Sequence, residues 1–264
     1  MRPPADLDAV VAAVQAGAGY RELAEELVRS VAAAELAKRR SGKEAVKATR
    51  AKLHQLVGAY EELPRDALAR VAALAEGDDP RAVARDLMAA HASTRERLDL
   101  LDSFWSVALA GLAPPASVLD LACGLNPLAL DWMALPADTC YRACDVHRGQ
   151  LALVETWLAR RGQPHEVFPW DLLAGPPPGQ ADLVLLLKTI PCLEQADRQA
   201  GRRLLAGLQA RTVLVSYPLR SLGGRQVGME SHYAGRFAEL LAGLPWTTER
   251  LPIEGELVYR LAQR

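Results

Sequence analysis

The sequence predicts an α/β protein in which an all-α N-terminal region precedes a Rossmann-like domain built on a largely parallel sheet. Three observations carry this. Apolar residues recur at helical spacing from Leu7 to Ala110. After Ala113-Pro114-Pro115 the pattern changes to short, continuously apolar runs separated by helical stretches, as strands buried on both faces require. The end differs again, with two strand-like stretches joined at Glu254-Gly255, which fits an antiparallel hairpin. The expected divisions are 1–76, 77–112 and 113–264.

Leu7, Val10, Val11 and Val14 mark the first helix, and Leu23, Leu27, Val31 and Ala34 the second. Leu53, Leu56, Val57 and Tyr60 continue the helical period. Breaks fall at Gly17-Ala18-Gly19, Ser41-Gly42, Leu63-Pro64 and Gly77-Asp78-Asp79-Pro80. A helix follows from Arg81 towards Ala90, and another from Ser93 or Thr94 to about Ala110. Ser93 with Glu96 forms an expected capping box at its start. The expected strands are Ser117–Ala122, Cys140–Val146, Glu166–Trp170, Asp182–Leu187 and Thr212–Tyr217. Pro127–Ala134, Gly149–Arg161 and Gln195–Leu208 are the helices between them, and Thr247–Leu251 with Glu256–Ala262 is the hairpin. Five parallel strands and a closing hairpin resemble the class I methyltransferase order.

A net charge of −1 over 264 residues excludes a uniformly basic nucleic-acid binder but leaves room for a local basic patch. The N-terminus has no apolar segment of signal-peptide type, and no apolar run is long enough to span a bilayer. Cys123, Cys140, Cys144 and Cys192 lack CxxC spacing. They read as buried free thiols in a reducing cytoplasm rather than a zinc site or disulfide framework. No metal is expected.

Doubly wound sheets bind ligands beyond the carboxyl ends of their strands. Four segments lie there. Asp120-Leu121-Ala122-Cys123-Gly124-Leu125-Asn126-Pro127 ends the first strand in small residues that admit a ligand close to the backbone. Asp145 ends the second, placed to accept ribose hydroxyls. Asp171 and Leu172 follow the third, with a carboxylate for an adenine amino group and an apolar cover for the ring. The fourth segment, from Leu187 through Lys188 and Glu194 to Gln195, lies where a transferred methyl group would sit.

Together with His91-Ala92-Ser93-Thr94-Arg95-Glu96-Arg97-Leu98, the stretches Leu185–Glu194 and Val215–Arg225 make the chain resemble the aminoglycoside-resistance 16S rRNA (guanine-1405-N7)-methyltransferases. The likeness runs from about Ala5 to the C-terminus. It implies an S-adenosylmethionine (SAM)-dependent enzyme yielding S-adenosyl-L-homocysteine, with a cofactor set of Arg97, Ala122, Gly124, Asp145, Asp171, Leu172, Leu187 and Gln195. In that set Arg97 holds the SAM carboxylate and Gly124 lies against the methionine portion. Lys188 and Glu194 match active-site positions, Arg225 matches a target-loop arginine, and Arg95 is assigned to the surface.

The partner so implied is 16S rRNA within the 30S subunit, in the cytoplasm, with the chain expected to act as a monomer and with no membrane. Residues 1–76 become the rRNA-binding domain, 77–112 a connector carrying Arg97, and 113–264 the SAM domain. Residues 38–52 hold seven Lys or Arg and one Glu. Lys38, Arg39, Arg40, Lys43, Lys47 and Arg50 are the RNA candidates, with Lys43, Lys47, Arg50 and His54 on one helical stripe. Leu219 to Arg236 reads as a glycine-rich cationic loop in which Arg220, Arg225 and Met229 face the RNA, and Met229 or Tyr217 contacts an extruded guanine. Guanine N7 carries a lone pair and no proton, so no general base is needed. Glu194 suits either stabilisation of charge developing on the purine or a hold on SAM or the loop. The alternative reading is a SAM methyltransferase of another RNA or of a small molecule, with the helical region as a lid.

Overall fold

A computed structural model describes residues 6–57, 63–75, 77–219 and 229–264. Three helices come first: α1 (Leu7–Gln15), α2 (Glu25–Leu36) and α3 (Gly42–Val57). They close on one core that includes Val10, Val14, Leu27, Val28, Val31, Leu53 and Leu56. The Asp6 carboxylate caps α1 by accepting the Asp8 amide at 3.1 Å. α3 turns Ala45, Thr49, Leu53 and Leu56 inward at helical spacing, leaving Lys43, Lys47 and His54 exposed.

α4 (Ala67–Ala72) and α5 (Pro80–Ala89) follow. Pro80 starts α5 and Asp79 caps it, the arrangement a first-turn proline favours. Ala67, Val71 and Leu87 belong to the core beneath the sheet, with Trp105, Leu125 and Trp157. A division at residue 76 therefore cuts through a shared core, and the separate helical bundle is α1–α3.

The expected long helix from Ser93 is broken. Its pieces are α6 (Ala92–Arg95), a 3-10 turn at Leu98–Leu100, and α7 (Leu101–Leu109). His91, not Ser93, precedes α6 as its N-cap residue, and the Glu96 carboxylate that the capping box needs instead accepts from the Lys188 ammonium at 2.6 Å. A tertiary ion pair has overridden a local cap.

The sheet domain then runs β1 (Ser117–Leu121), α8 (Leu130–Met133), β2 (Cys140–Asp145), α9 (Arg148–Arg160), β3 (His165–Pro169) and β4 (Gln180–Leu187). It continues with α10 (Ile190–Ala196), α11 (Ala200–Gly207), β5 (Gln209–Pro218), α12 (Met229–Leu241), β6 (Trp246–Leu251) and β7 (Glu256–Gln263). The strand order is β3-β2-β1-β4-β5-β7-β6. The first five strands are parallel, and β7 runs antiparallel to both β5 and β6. Successive residues of β4 serve opposite faces: Leu185 joins the core with Tyr141 and Trp157, Leu186 the core with Leu204 and Val213.

Two expected helices shrink. Pro127–Ala134 becomes a 3-10 turn at Asn126–Ala129 and the single turn α8, ending at Ala134 in a left-handed conformation. Gln195–Leu208 splits at Asp197, whose extended backbone ends α10 and whose carboxylate accepts the Gln199 amide at 2.9 Å. His232, Tyr233 and Arg236, expected in a loop, lie on α12. Arg220 and Arg225 lie outside the described residues.

Candidate active site

Between β1 and β4 the strand order reverses, and the chain leaves the two strands in opposite directions, opening a crevice. Three backbones there adopt left-handed angles: Ala122 at φ 50°, Gly124 at φ 50° and Lys188 at φ 57°. For Ala122 and Lys188 this is a strained state that the surroundings must enforce. At Gly124 a side chain is disfavoured twice, by the angle and because a Cβ would lie 3.0 Å from the His91 ring.

The loop is held by Asp145. Its Oδ2 accepts the Gly124 amide at 2.9 Å, and its Oδ1 accepts the amides of Val146 at 2.6 Å and His147 at 3.1 Å. Burial raises the Asp145 pKa, and these three amides oppose the rise. Asp120 is also buried and receives the Tyr141 hydroxyl at 2.7 Å and the Asn126 amide at 2.8 Å on Oδ2. Burial dominates there and pushes its pKa up to about 7. Asp171 caps the 3-10 turn at Leu172–Ala174 by accepting the Leu173 amide, with its pKa raised by burial.

At the other end of the crevice stands a compensated cluster of four charges. Glu256 takes Arg97 in a two-point pair, Nε to Oε1 and Nη2 to Oε2, both at 2.8 Å. The Arg97 Nη1 donates to Asn126 at 3.2 Å, and its guanidinium lies 4.1 Å over the Phe104 ring. Lys188 reaches Glu256 at 3.2 Å, Glu96 at 2.6 Å and the Ser93 carbonyl at 2.9 Å. Burial would raise the Glu256 pKa, but the two cations, with hydrogen bonds from Arg97 and Ser216, bring it down to about 2. The Lys188 ammonium donates to Glu96 and the Ser93 carbonyl and sits in ion-pair contact with Glu256. Lys188 thus clasps the connector against the sheet while also lining the crevice.

A cavity of 560 Å³ opens beside this cluster, within the range of small-molecule sites. Arg97, Ala122, Leu187, Lys188, Gln195 and Met229 all line it, with His91, Asn126 and Tyr233. Asp145, Asp171 and Leu172 line an adjoining cavity that shares Leu56, Ala122, Thr189 and Cys192 with the first. The sequence-derived cofactor residues thus converge, except Gly124, which sits beneath His91 and lines neither cavity.

Glu194 lines neither cavity. Its carboxylate is gripped by Arg236 of α12, with Nη2 to Oε1 at 2.7 Å, which ties α10 to α12. Tyr217 is 1% exposed and packs between Tyr233 and Phe237, so Tyr233 rather than Tyr217 presents an aromatic ring to the cavity. Glu256 escaped sequence reasoning altogether. An acidic residue at the start of an alternating strand reads as surface, and only the β5–β7 register, which sets Glu256 opposite Pro218, brings it to the site.

On the basic segment, Arg40, Lys43 and Lys47 are exposed, and among the described residues Lys43 and Lys47 have no carboxylate partner. Lys38 and Arg39 pair with Glu35 at 3.1 Å and 3.0 Å. Arg50 departs from the stripe, because its guanidinium donates to the Ala13 carbonyl and lies over the Tyr20 ring. Arg95 is exposed as expected.

Residues 16–260 match the ribosomal RNA methyltransferase (FmrO) family. A 16S rRNA (guanine(1405)-N(7))-methyltransferase of Frankia casuarinae is 41% identical over 251 residues, 91% of this chain and 88% of that protein. One of the same name from Serratia marcescens is 34% identical over 257 residues, 96% of this chain and 97% of that protein. Among solved structures, the 16S rRNA methyltransferase RmtF in complex with S-adenosyl-L-homocysteine superposes with a TM-score of 0.84 at 35% identity, covering 100% of both chains.

Proposed function

The chain belongs to the ribosomal RNA methyltransferase (FmrO) family, and from that premise we propose that it methylates N7 of guanine 1405 in the decoding site of 16S rRNA, using SAM. The observation that carries this is relatedness over nearly the whole chain to enzymes of that name. The donor set fits the cofactor. A buried guanidinium suits a carboxylate, a strand-end carboxylate suits a diol, and an acid beside apolar walls suits a purine with its amino group. When bound, SAM supplies a methyl group on a positively charged sulfur.

The residues then have distinct tasks. Arg97 uses three of its five donors on Glu256 and Asn126, which leaves two for the amino-acid carboxylate. Asp145 shares its carboxylate between the Gly124 loop and the ribose. Asp171 and Leu172 meet the adenine. The substrate N7 has no proton to lose, so catalysis consists of in-line positioning in a site shielded from water. Met229 and Tyr233 flank the entrance for the base.

Lys43, Lys47 and Arg40 hold RNA phosphates, and Lys38 and Arg39, themselves exposed while paired with the buried Glu35, turn their remaining donors to the same backbone. N7-methylation adds bulk and positive charge where a cationic aminoglycoside binds, which gives resistance. We place the enzyme in the cytoplasm, with its ribosomal substrate, as a monomer. Among the described residues no helix is long and apolar enough to cross a membrane.

The test is methylation of purified 30S subunits with SAM, followed by chemical cleavage at N7-methylated guanine and primer extension. A single new stop at guanine 1405 is expected. A stop elsewhere, or none in a preparation that binds SAM, overturns the assignment.

A further inference from the structure

The helical bundle is stitched to the sheet domain next to the cofactor crevice. The Ala24 amide donates to the Val146 carbonyl, and the Arg148 amide to the Glu22 carbonyl, both at 2.7 Å. These bonds flank His147, two residues after Asp145. On the other side of the crevice the Lys52 ammonium donates to the Gln195 carbonyl at 2.6 Å. Between these stitches, Leu27 of α2 and Leu56 and Val57 of α3 form a wall of the cavity that Asp145, Asp171 and Leu172 line from the sheet side. Leu27 and Leu56 are 3% and 7% exposed and also belong to the bundle core. A wall of that cavity therefore comes from the same helices that carry the basic patch.

We propose that Leu27, Leu56 and Val57 are part of the adenosine subsite, so that cofactor binding and RNA docking are energetically linked through the bundle. The inference rests on the reading that the chain binds SAM. The chemistry of the wall matches the ligand: a purine presents flat apolar faces that branched aliphatic side chains cover, while the Asp171 carboxylate offers an acceptor for its amino group. A ligand that touches both bodies adds to the stitches between them. RNA that fixes the bundle in its docked position then fixes one wall of the subsite. Linkage is reciprocal: whatever factor RNA applies to cofactor affinity, cofactor applies to RNA affinity.

Calorimetric titration of the full chain with S-adenosyl-L-homocysteine tests this without any turnover. Leu56→Ala should weaken binding about tenfold, the effect of losing most of one buried apolar contact, and Val57→Ala by a smaller factor. Val10→Ala, in the same bundle core but away from the cavity, should bind as wild type does while lowering the unfolding midpoint. If Leu56→Ala fails to fold, the half-buried Val57 decides the matter. Wild-type affinity in Leu56→Ala and Val57→Ala overturns the subsite assignment and leaves the methyltransferase reading intact. Failure of the wild-type chain to bind the ligand overturns the SAM reading itself, and this inference with it. Repeating the wild-type titration with saturating 30S subunits should tighten binding, and Leu56→Ala should shrink that gain. Equal affinity with and without subunits overturns the linkage.

Discussion

Glu256 pairs with Arg97 and Lys188 at once, and all three are almost fully enclosed. Removing the acid strands two buried cations, so Glu256→Ala should cost about 3–5 kcal/mol, read as a lowered midpoint in thermal unfolding. A midpoint within a degree of wild type would mean that water reaches the cluster. The pH dependence has a definite sign. The Glu256 pKa is held near 2 in the fold, below the usual glutamate range, so its stabilisation is complete above about pH 4.5 and is lost as pH falls towards 2. Glu256→Gln should flatten this acid limb. Asp120 acts the other way: with a folded value of about 7, it favours the fold at low pH and loses that contribution as pH rises from about 4 to 7. The gap in stability between Asp120→Asn and wild type should therefore move in favour of the variant from about pH 5 to pH 8. At Asp145, replacement by Ala should weaken SAM by about 1.5–3 kcal/mol in calorimetry. Unchanged affinity in a folded variant would reduce Asp145 to a brace for the Gly124 loop.

At the scale of elements, α3 separates two jobs that its basic sequence does not. Lys43 and Lys47 face solvent while Arg50 ties α3 to α1. Neutralising Lys43 and Lys47 should lower the slope of log affinity for 30S subunits against log salt by about one unit per contact, with SAM binding unchanged. Arg50→Ala should instead lower the unfolding midpoint. A slope unaltered by the lysine changes would make this face idle surface. The strands, the closing hairpin and the acids at the strand ends were legible in the sequence, because continuous apolar runs and strand-end carboxylates are local signals. The breaks in the helices were not. Glu96 abandons a capping box for Lys188, and Arg97 turns inward towards a residue 159 positions away. The surroundings of Tyr217, Glu194 and Glu256 were illegible for the same reason: their partners Tyr233, Arg236 and Arg97 are fixed by tertiary packing, which leaves no mark on neighbouring residues.

For the molecule as a whole, the bundle, the connector and the sheet meet around one cavity. A ligand bound there should protect them together. S-adenosyl-L-homocysteine at about 100 times its Kd should add about 2.7 kcal/mol, a rise of roughly 5–10 °C in the unfolding midpoint at about 2–4 °C per kcal/mol, within a single transition. Two transitions, only one of them shifted, would show the bundle melting apart from the cofactor. The strand order also dictates when activity begins during synthesis. β7, which carries Glu256, slots between β5 and β6 and is made 68 residues after Lys188, from positions 256 and 188. At about 5–20 residues per second this is a delay of roughly 3–14 s, during which Arg97 and Lys188 lack their shared counter-charge and the sheet lacks an inner strand. The crevice is thus complete only once β7 has emerged and entered the sheet, so a chain truncated before Glu256 should transfer no methyl group to 30S subunits.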